Sequence, residues 1–155
     1  EGMAAPASRY AHAVLVDGPA RWLHLAGQVG ILPDGRVADG LAAQLDACFA
    51  NVDAGLAAAG MARGDLIKVT VYLTQATPEA VATYRARRDL WIGDGPLPAA
   101  TLLIVAGLAS PALLTEVPLS SPACQPEMTK PGTVPPTFPS EMVCKADKAE
   151  LPYTT

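Results

Sequence analysis

The sequence contains few aromatic residues, few histidines and no long apolar run. Aromatic side chains make up 5% of the 155 residues, beside two histidines and three cysteines. Glycine, proline or a charged residue interrupts every apolar stretch, so none reaches the ~20 residues of a membrane-spanning helix. Histidine and cysteine show no metal-ligand spacing, and neither a Ser-His-Asp order nor a glycine-rich phosphate loop is present. We therefore expect no membrane partner, no metal and no cofactor.

Positive charge is also scarce. The formal net charge is −4, with 11 lysines and arginines against 15 acidic residues. Phosphate recognition needs clustered lysine and arginine, so nucleic acid is not expected as a partner and ribonuclease activity is disfavoured. The N-terminus lacks the basic-then-apolar pattern of a signal peptide, and we expect a cytoplasmic protein. Half of the residues are hydrophobic, which suffices for the core of one globular domain.

The chain divides into three parts by composition. Residues 1–8 are interpreted as a cloning scar and leader, because Glu1-Gly2 precedes Met3. Residues 9–121 have the alternating patterns of an α/β domain. Residues 122–155 carry seven prolines, and we expect this extension to pack on the domain or on a neighbouring subunit. Cys124 and Cys144 lie there; a disulfide between them is an open alternative, as is a pair of free thiols.

Within the domain, hydrophobic periodicity predicts a strand-strand-helix-strand-helix-strand-strand order. Asp39 is expected to cap the first helix and Gly60 to end it; Thr77 and Pro78 have the pattern that opens the second. Pro118 cannot donate to a ladder, so the last strand is expected to be an edge there or to be ending. The predicted strands cover 13–16, 21–29, 66–73, 100–106 and 113–119, and the helices cover 39–60 and 77–92.

This order predicts a mixed sheet with both helices packed on one face. On the strand 100–106, apolar residues occupy both faces. Such two-sided apolar patterning in a small domain predicts an oligomer that covers the second face.

Several short motifs, in order and at matching spacing, resemble the RidA/YjgF family of reactive-intermediate imine/enamine deaminases, also called endoribonuclease L-PSP. They cover residues 9–121: YAHA at 10–13, LAGQVG at 25–30, Gln44 and Asn51 in the first helix, DLIKVTVYL at 65–73, PA at 98–99, and an acid at Glu116. The chain departs from the family at Ala100, where the resemblance leads one to expect the substrate-binding arginine. It is therefore identified as a divergent member.

The resemblance implies a chorismate-mutase-like α+β fold and a homotrimer whose sheets form a closed barrel. Three clefts would lie between the subunits. In the family, the arginine binds the carboxylate of a 2-imino or 2-enamino acid. A glutamate on the last strand positions the water that hydrolyses the carbon–nitrogen double bond. With Ala100 in the arginine's place, ordinary 2-imino acid deamination is doubtful.

Three residues are the catalytic candidates. Glu116 matches the family glutamate, with a solvent-facing strand carboxylate as the alternative. Tyr10 matches a tyrosine of the pocket and could orient substrate or donate a proton. His24 is either a core histidine with a satisfied ring or a new acid/base group, because its ordinary pKa is near neutral.

The substrate-binding candidates surround these residues in the resemblance. Two arginines on the second helix, Arg85 and Arg88, could supply a cation; alternatively both are solvated, with Arg85 paired to Asp89 at i,i+4. The remaining candidates are Ala26, Gln28, Tyr72, Leu97, Ala100 and Thr101.

Two functions remain open from the sequence. One is a hydrolase-like enzyme that acts on a small reactive imine, enamine or related electrophile, with Glu116 and water in acid/base roles. Its Ala-rich, Lys-poor composition suggests a high-GC bacterial genome and a specialised biosynthetic pathway. The other is a trimeric protein that binds a small molecule on the same scaffold without catalysis.

Overall fold

The fold is a four-stranded mixed sheet with two α-helices, as expected from the sequence pattern. The computed structural model describes residues 8–11 and 20–124. The predicted strand at 13–16 and the extension beyond residue 124 lie outside the described residues. Strand order is β1-β4-β2-β3; β2 and β3 are parallel, and β4 is antiparallel to both β1 and β2. The elements are β1 Ala20–Val29, α1 Gly40–Ala58, a 3-10 turn Arg63–Asp65, β2 Lys68–Leu73, α2 Pro78–Ile92, β3 Ala99–Ile104 and β4 Thr115–Cys124.

Helix α1 packs its apolar stripe on the sheet. Leu45, Cys48, Val52 and Leu56 are all buried in the main core, and the predicted core position of Cys48 is confirmed. Gly60, at φ 69°, ends the helical segment in the left-handed conformation that favours glycine. Asp39 occupies the N-cap position, but its side chain makes no capping hydrogen bond, so that part of the prediction is wrong.

Helix α2 begins as the sequence predicts. The Thr77 hydroxyl accepts a hydrogen bond from the Ala80 amide at 3.1 Å, directly before Pro78 in the first turn. Near the other end of α2, Trp91 stacks on Phe49 of α1 with ring centroids 4.4 Å apart. Such a pair contributes roughly 0.5–1.5 kcal/mol beyond its buried area and holds the two helices together.

Two polar side chains of α1 anchor the loops around the sheet. Gln44, which is 2% exposed, donates to the carbonyls of Ala38 and Ala112 and accepts from the Leu114 amide. Asn51 donates to the carbonyl of Val29 at the end of β1 and to that of Ile31 just beyond it. In this structure, both of these motif residues hold backbone segments in place.

Strand β4 corrects the expectation for Pro118. The predicted edge strand lies between β1 and β2, and it continues to Cys124, three residues past the predicted domain boundary at 121. Its register with β1 is interrupted between Leu25 and Gln28, where two residues of β1 oppose Pro118 alone. A β-bulge is one of the few places where a sheet tolerates a residue without an amide hydrogen. The proline is accommodated because its neighbour strand bulges opposite it.

Candidate functional site

The sheet has one face covered by the helices and one that no described residue covers. On β2 and β4, burial alternates strictly: Val69, Val71 and Leu73 lie on the helix-facing side, with Val117 and Leu119 of β4. The opposite side is called the open face below. Four of the polar catalytic and binding candidates lie on the open face. This confirms that it is the polar side of the sheet. These are His24 on β1, Glu116 on β4, Tyr72 on β2 and Thr101 on β3.

Glu116 lies on the open face, near the start of the inner strand β4. It lies opposite Tyr72 of β2 and Val29 of β1 in the strand register. Its side chain bends over Gly27 at the β1 bulge: a Cβ added to that glycine would clash with Oε1 of Glu116. Glu116 is partly buried, and no ion pair or hydrogen bond of its carboxylate is found among the described residues. The carboxylate oxygens are therefore available to water or to a ligand.

The negative charge of Glu116 affects the pKa of Cys48 on the other side of the sheet. Cys48 lies on the helix-facing side, where burial and, second, the Glu116 charge raise the pKa of its thiol to about 12. Both causes disfavour the thiolate, because a buried anion loses hydration and a nearby negative charge repels it. Cys48 is consequently a core residue without nucleophilic character at neutral pH.

His24 is an exposed residue of the open face, so its alternative as a core histidine is wrong. Its Nδ1 lies 3.0 Å from the Ser120 hydroxyl of β4, and its ring stacks on Trp22, with centroids 6.1 Å apart. Trp22 is itself 53% exposed. Strand register brings Ser120 to His24 across 96 positions of sequence, a contact that no local motif could indicate.

Lys68 and Thr101 join β2 and β3 on the same face. The Lys68 ammonium donates to the Thr101 hydroxyl at 2.5 Å. Thr101 is thus engaged within the protomer, and the lysine adds a positive charge to the open face. Lys68 was not among the predicted site residues, although alternation along β2 already placed it on the polar side with Tyr72.

Ala100 does not share a face with Glu116. In the parallel register it pairs with Val69, and Leu102, two residues further along β3, packs against the core. Ala100 and Leu102 therefore lie on the helix-facing side of an edge strand. Within one protomer, the predicted substrate-binding position and the predicted catalytic acid are on opposite sides of the sheet.

A cleft runs between the end of β3 and the first two turns of α2. We call it the Arg85 cleft; its volume is about 470 Å³. The Arg85 side chain is exposed, and no ion pair or hydrogen bond engages it within the described part of the chain. The cleft is lined by Thr77, Pro78, Val81, Ala82 and Arg85 of α2 and by Ala76 and Ile104.

Arg88 differs from Arg85 in its burial and in its partners. It is 3% exposed, and its guanidinium donates to the Asp89 carboxylate at 2.7 Å and to the Ser8 hydroxyl at 3.0 Å. It also lies over the Tyr84 ring, 5.3 Å from the centroid. The expectation that Arg88 is solvated is wrong, and Asp89 pairs with Arg88 instead of Arg85. Arg88 anchors the N-terminal segment and does not line the Arg85 cleft.

The segment 8–11 carries Tyr10 to the start of β3. Ala11 forms a parallel bridge with Ala99, and its amide donates to the Pro98 carbonyl at 3.0 Å. Partly buried Tyr10 is thereby held near the stretch that contains Leu97 and Ala100. These candidates share one end of β3, away from Glu116.

Of the two β1 candidates, Ala26 lies in the bulge and Gln28 directly follows it, paired with Val117. The Gln28 side-chain amide donates to the Ala26 carbonyl at 2.9 Å. Both residues therefore shape the backbone beside Gly27, over which Glu116 lies. Gly27 was missed by sequence reasoning as a site residue; its place in the family motif was the available signal.

No group of three or more histidine, cysteine or acidic side chains that could hold a metal is found in residues 8–11 and 20–124. Over the same residues, no helix combines the length and apolar composition needed to cross a membrane.

A mixed sheet with two helices on one face is the fold that this chain shares with solved structures of the Rid family. The family model described as Endoribonuclease L-PSP matches residues 2–120. The chain belongs to this RidA/YjgF family.

Individual relatives agree. A RutC family protein of Aquifex aeolicus is 41% identical over 70 residues, which are 44% of this chain and 54% of the relative, so the match spans about half of that protein. A Rid-family protein of unknown function from Yersinia pestis has a TM-score of 0.67 at 29% identity, covering 74% of this chain and 86% of its own. RidA from the Antarctic bacterium Psychrobacter has a TM-score of 0.61 at 26% identity, covering 77% and 92%.

Proposed function

We propose that this protein is a hydrolase of small electrophilic imines, enamines or related compounds, with Glu116 as the acid/base group. The observation that carries the proposal is the Glu116 carboxylate, which lies on the open face above Gly27 with no partner among the described residues. A carboxylate in this setting can hold and deprotonate a water molecule. Tyr10 and His24 are the further candidates for proton transfer.

The reaction balances with water as the only co-reactant. Glu116 accepts a proton from water as the oxygen attacks the electrophilic carbon. A C–O bond forms, and the π electrons of the C=N bond move to nitrogen, which takes the proton from Glu116. Glu116 then removes the hydroxyl proton of the resulting carbinolamine and passes it to the nitrogen. The C–N bond breaks, the nitrogen leaves as ammonia, a carbonyl product remains, and Glu116 is again a carboxylate after one turnover.

A homotrimer with clefts between subunits is the assembly that this proposal requires. Ala100 and Glu116 lie on opposite sides of one protomer's sheet, so a pocket that includes both positions must combine two copies. Leu103, on the open face of the edge strand, is 44% exposed, which supports burial against a neighbour. Light scattering should give about three times the chain mass of 16.0 kDa; a mass of one chain would refute the assembly.

The substrate is expected to differ from a simple 2-imino acid. An arginine holds a carboxylate through charge-assisted hydrogen bonds worth roughly 1.5–3 kcal/mol, and the methyl group of Ala100 cannot replace them. Little ammonia should therefore be released from 2-aminoacrylate or from branched 2-imino acids generated in situ. Rates equal to those of an arginine-containing relative would show that Ala100 does not limit this chemistry. Ala100→Arg should introduce some activity.

The direct test compares Glu116→Gln with the wild-type chain on imines and enamines that lack a carboxylate. Hydrolysis should fall by roughly 10²–10⁴-fold, the usual contribution of a general acid or base. Glu79→Gln is the matched control, because Glu79 is an exposed acid in the first turn of α2. Equal turnover by wild type and Glu116→Gln would remove Glu116 from the mechanism.

The alternative is a non-catalytic trimeric binding protein, and Ala100 favours it. This residue removes the cation that the family resemblance leads one to expect. Saturable binding of an electrophile without any turnover would establish this alternative. For either function, we place the protein in the cytoplasm of a bacterium and in a specialised biosynthetic pathway.

A further inference from the structure

The Arg85 cleft combines an apolar lining with one guanidinium that has no partner among the described residues. We propose that this cleft binds a small organic carboxylate with a compact apolar body. The cleft lies on the helix-facing side of the sheet, whereas Glu116 lies on the open face. The inference therefore stands on the cleft alone and does not require the proposed hydrolysis.

The size and lining of the cleft fit a small molecule. Its volume of about 470 Å³ falls within the roughly 300–1,000 Å³ of typical ligand pockets. Val81 and Ala82 supply aliphatic surface from α2, and Ile104 supplies it from β3. Ile104 is 44% exposed, so an apolar ligand would remove a large side chain from water.

The charge of the cleft selects an anion. Among the residues that the structure describes, no acidic side chain lines it, and Arg85 is the sole charged lining residue. The other two arginines of α2 form ion pairs: Arg87 with Asp46 at 3.4 Å, and Arg88 with Asp89. A guanidinium presents parallel donors that match the two oxygens of a carboxylate.

The position of Arg85 distinguishes this site from that of the family arginine. Ile104 is four residues beyond Ala100 on β3, which corresponds to about 13 Å at ~3.3 Å per residue. An acid held by Arg85 would therefore bind near the far end of the strand. Arg85 therefore does not replace the arginine expected at position 100. It supplies a cation at a different place, near the end of β3.

The experiment measures binding of cyclohexanecarboxylate and its neutral counterpart, cyclohexanecarboxamide, to the full chain by calorimetry. The acid should bind at least about tenfold more tightly than the amide. Arg85→Gln should weaken binding of the acid by roughly 10- to 100-fold and leave the amide unchanged. Arg87→Gln removes an equal charge from the same helix outside the cleft, and it should have no effect. Both side chains are solvent-accessible, so we expect each variant to fold. Circular dichroism checks this.

Three results would overturn the proposal: no binding of the acid in the millimolar range, equal affinity for acid and amide, or equal losses in the two arginine variants. Failure of the two proposals is separable. Loss of turnover in Glu116→Gln with acid binding unchanged supports both. Acid binding without turnover of any imine overturns only the hydrolase, and turnover without Arg85-dependent binding overturns only the carboxylate site.

Discussion

The buried amide of Gln44 provides the sharpest test of how the loops around the sheet are held. Its Nε2 donates to the Ala38 carbonyl at 3.1 Å and to the Ala112 carbonyl at 2.8 Å. Its Oε1 accepts from the Leu114 amide at 2.8 Å. Gln44→Leu keeps most of the side-chain volume but removes all three bonds, and it leaves their backbone partners without a protein acceptor or donor.

The expected cost follows from those three partners. A typical hydrogen bond contributes about 1 kcal/mol net, and a buried partner left unpaired costs about 1–3 kcal/mol. Because the Ala112 carbonyl is only partly buried, water can replace part of the loss there. We expect the free energy of unfolding to fall by about 2–4 kcal/mol, which lowers Tm by roughly 6–12 °C for a chain of this length.

The assay is urea and thermal denaturation followed by circular dichroism, at one fixed protein concentration because an oligomer links stability to concentration. Gln28→Leu is the matched control: it makes the same chemical change at a residue with one local bond to Ala26. That variant should change stability by less than about 0.5 kcal/mol. Equal stability of the two variants would refute the reasoning, provided that the urea m-values agree.

Three further predictions follow from other contacts. In a chain whose other two cysteines are serines, Cys48 should resist Ellman's reagent at pH 8 until the protein unfolds, because a pKa of about 12 leaves roughly one thiol in ten thousand ionised; rapid labelling of the native protein would contradict this. Gly27→Ala should destabilise by about 1–3 kcal/mol through the clash with Glu116, and adding Glu116→Ala should recover much of that loss in a double-mutant cycle. Thr77→Ala should cost about 1 kcal/mol in urea denaturation, since the Ala80 amide loses its cap; an unchanged midpoint would show that the cap contributes nothing.

Most of the scaffold could be predicted because its signals are local. The N-cap at Thr77, the left-handed glycine at Gly60 and the alternation along β2 are each determined within a few residues. The fold class and the helix-on-one-face arrangement followed from those signals and are confirmed. The place of β4 could not be predicted in the same way, because a proline is compatible with an inner strand only when a bulge lies opposite it.

The site was harder to predict because it depends on contacts between distant segments. Helical spacing placed Arg85 and Arg88 one turn apart, but it could not show that Ser8 and Asp89 engage the latter and bury it. Likewise, the contact between His24 and Ser120 exists only in the register between β1 and β4. The separation of Ala100 from Glu116 by the thickness of the sheet became visible only once β3 was aligned with β2.

The pairing of Pro118 with the β1 bulge has a consequence for how the chain avoids misfolding. If β4 shifted by one residue against β1, the imino acid would lie opposite a regular residue whose carbonyl then lacked a donor. The same shift would turn Glu116 into the core and Val117 out of it. The proline thus acts as a register lock. It makes the shifted pairing of β4 with β1 unfavourable, and so keeps the Glu116 carboxylate on the open face.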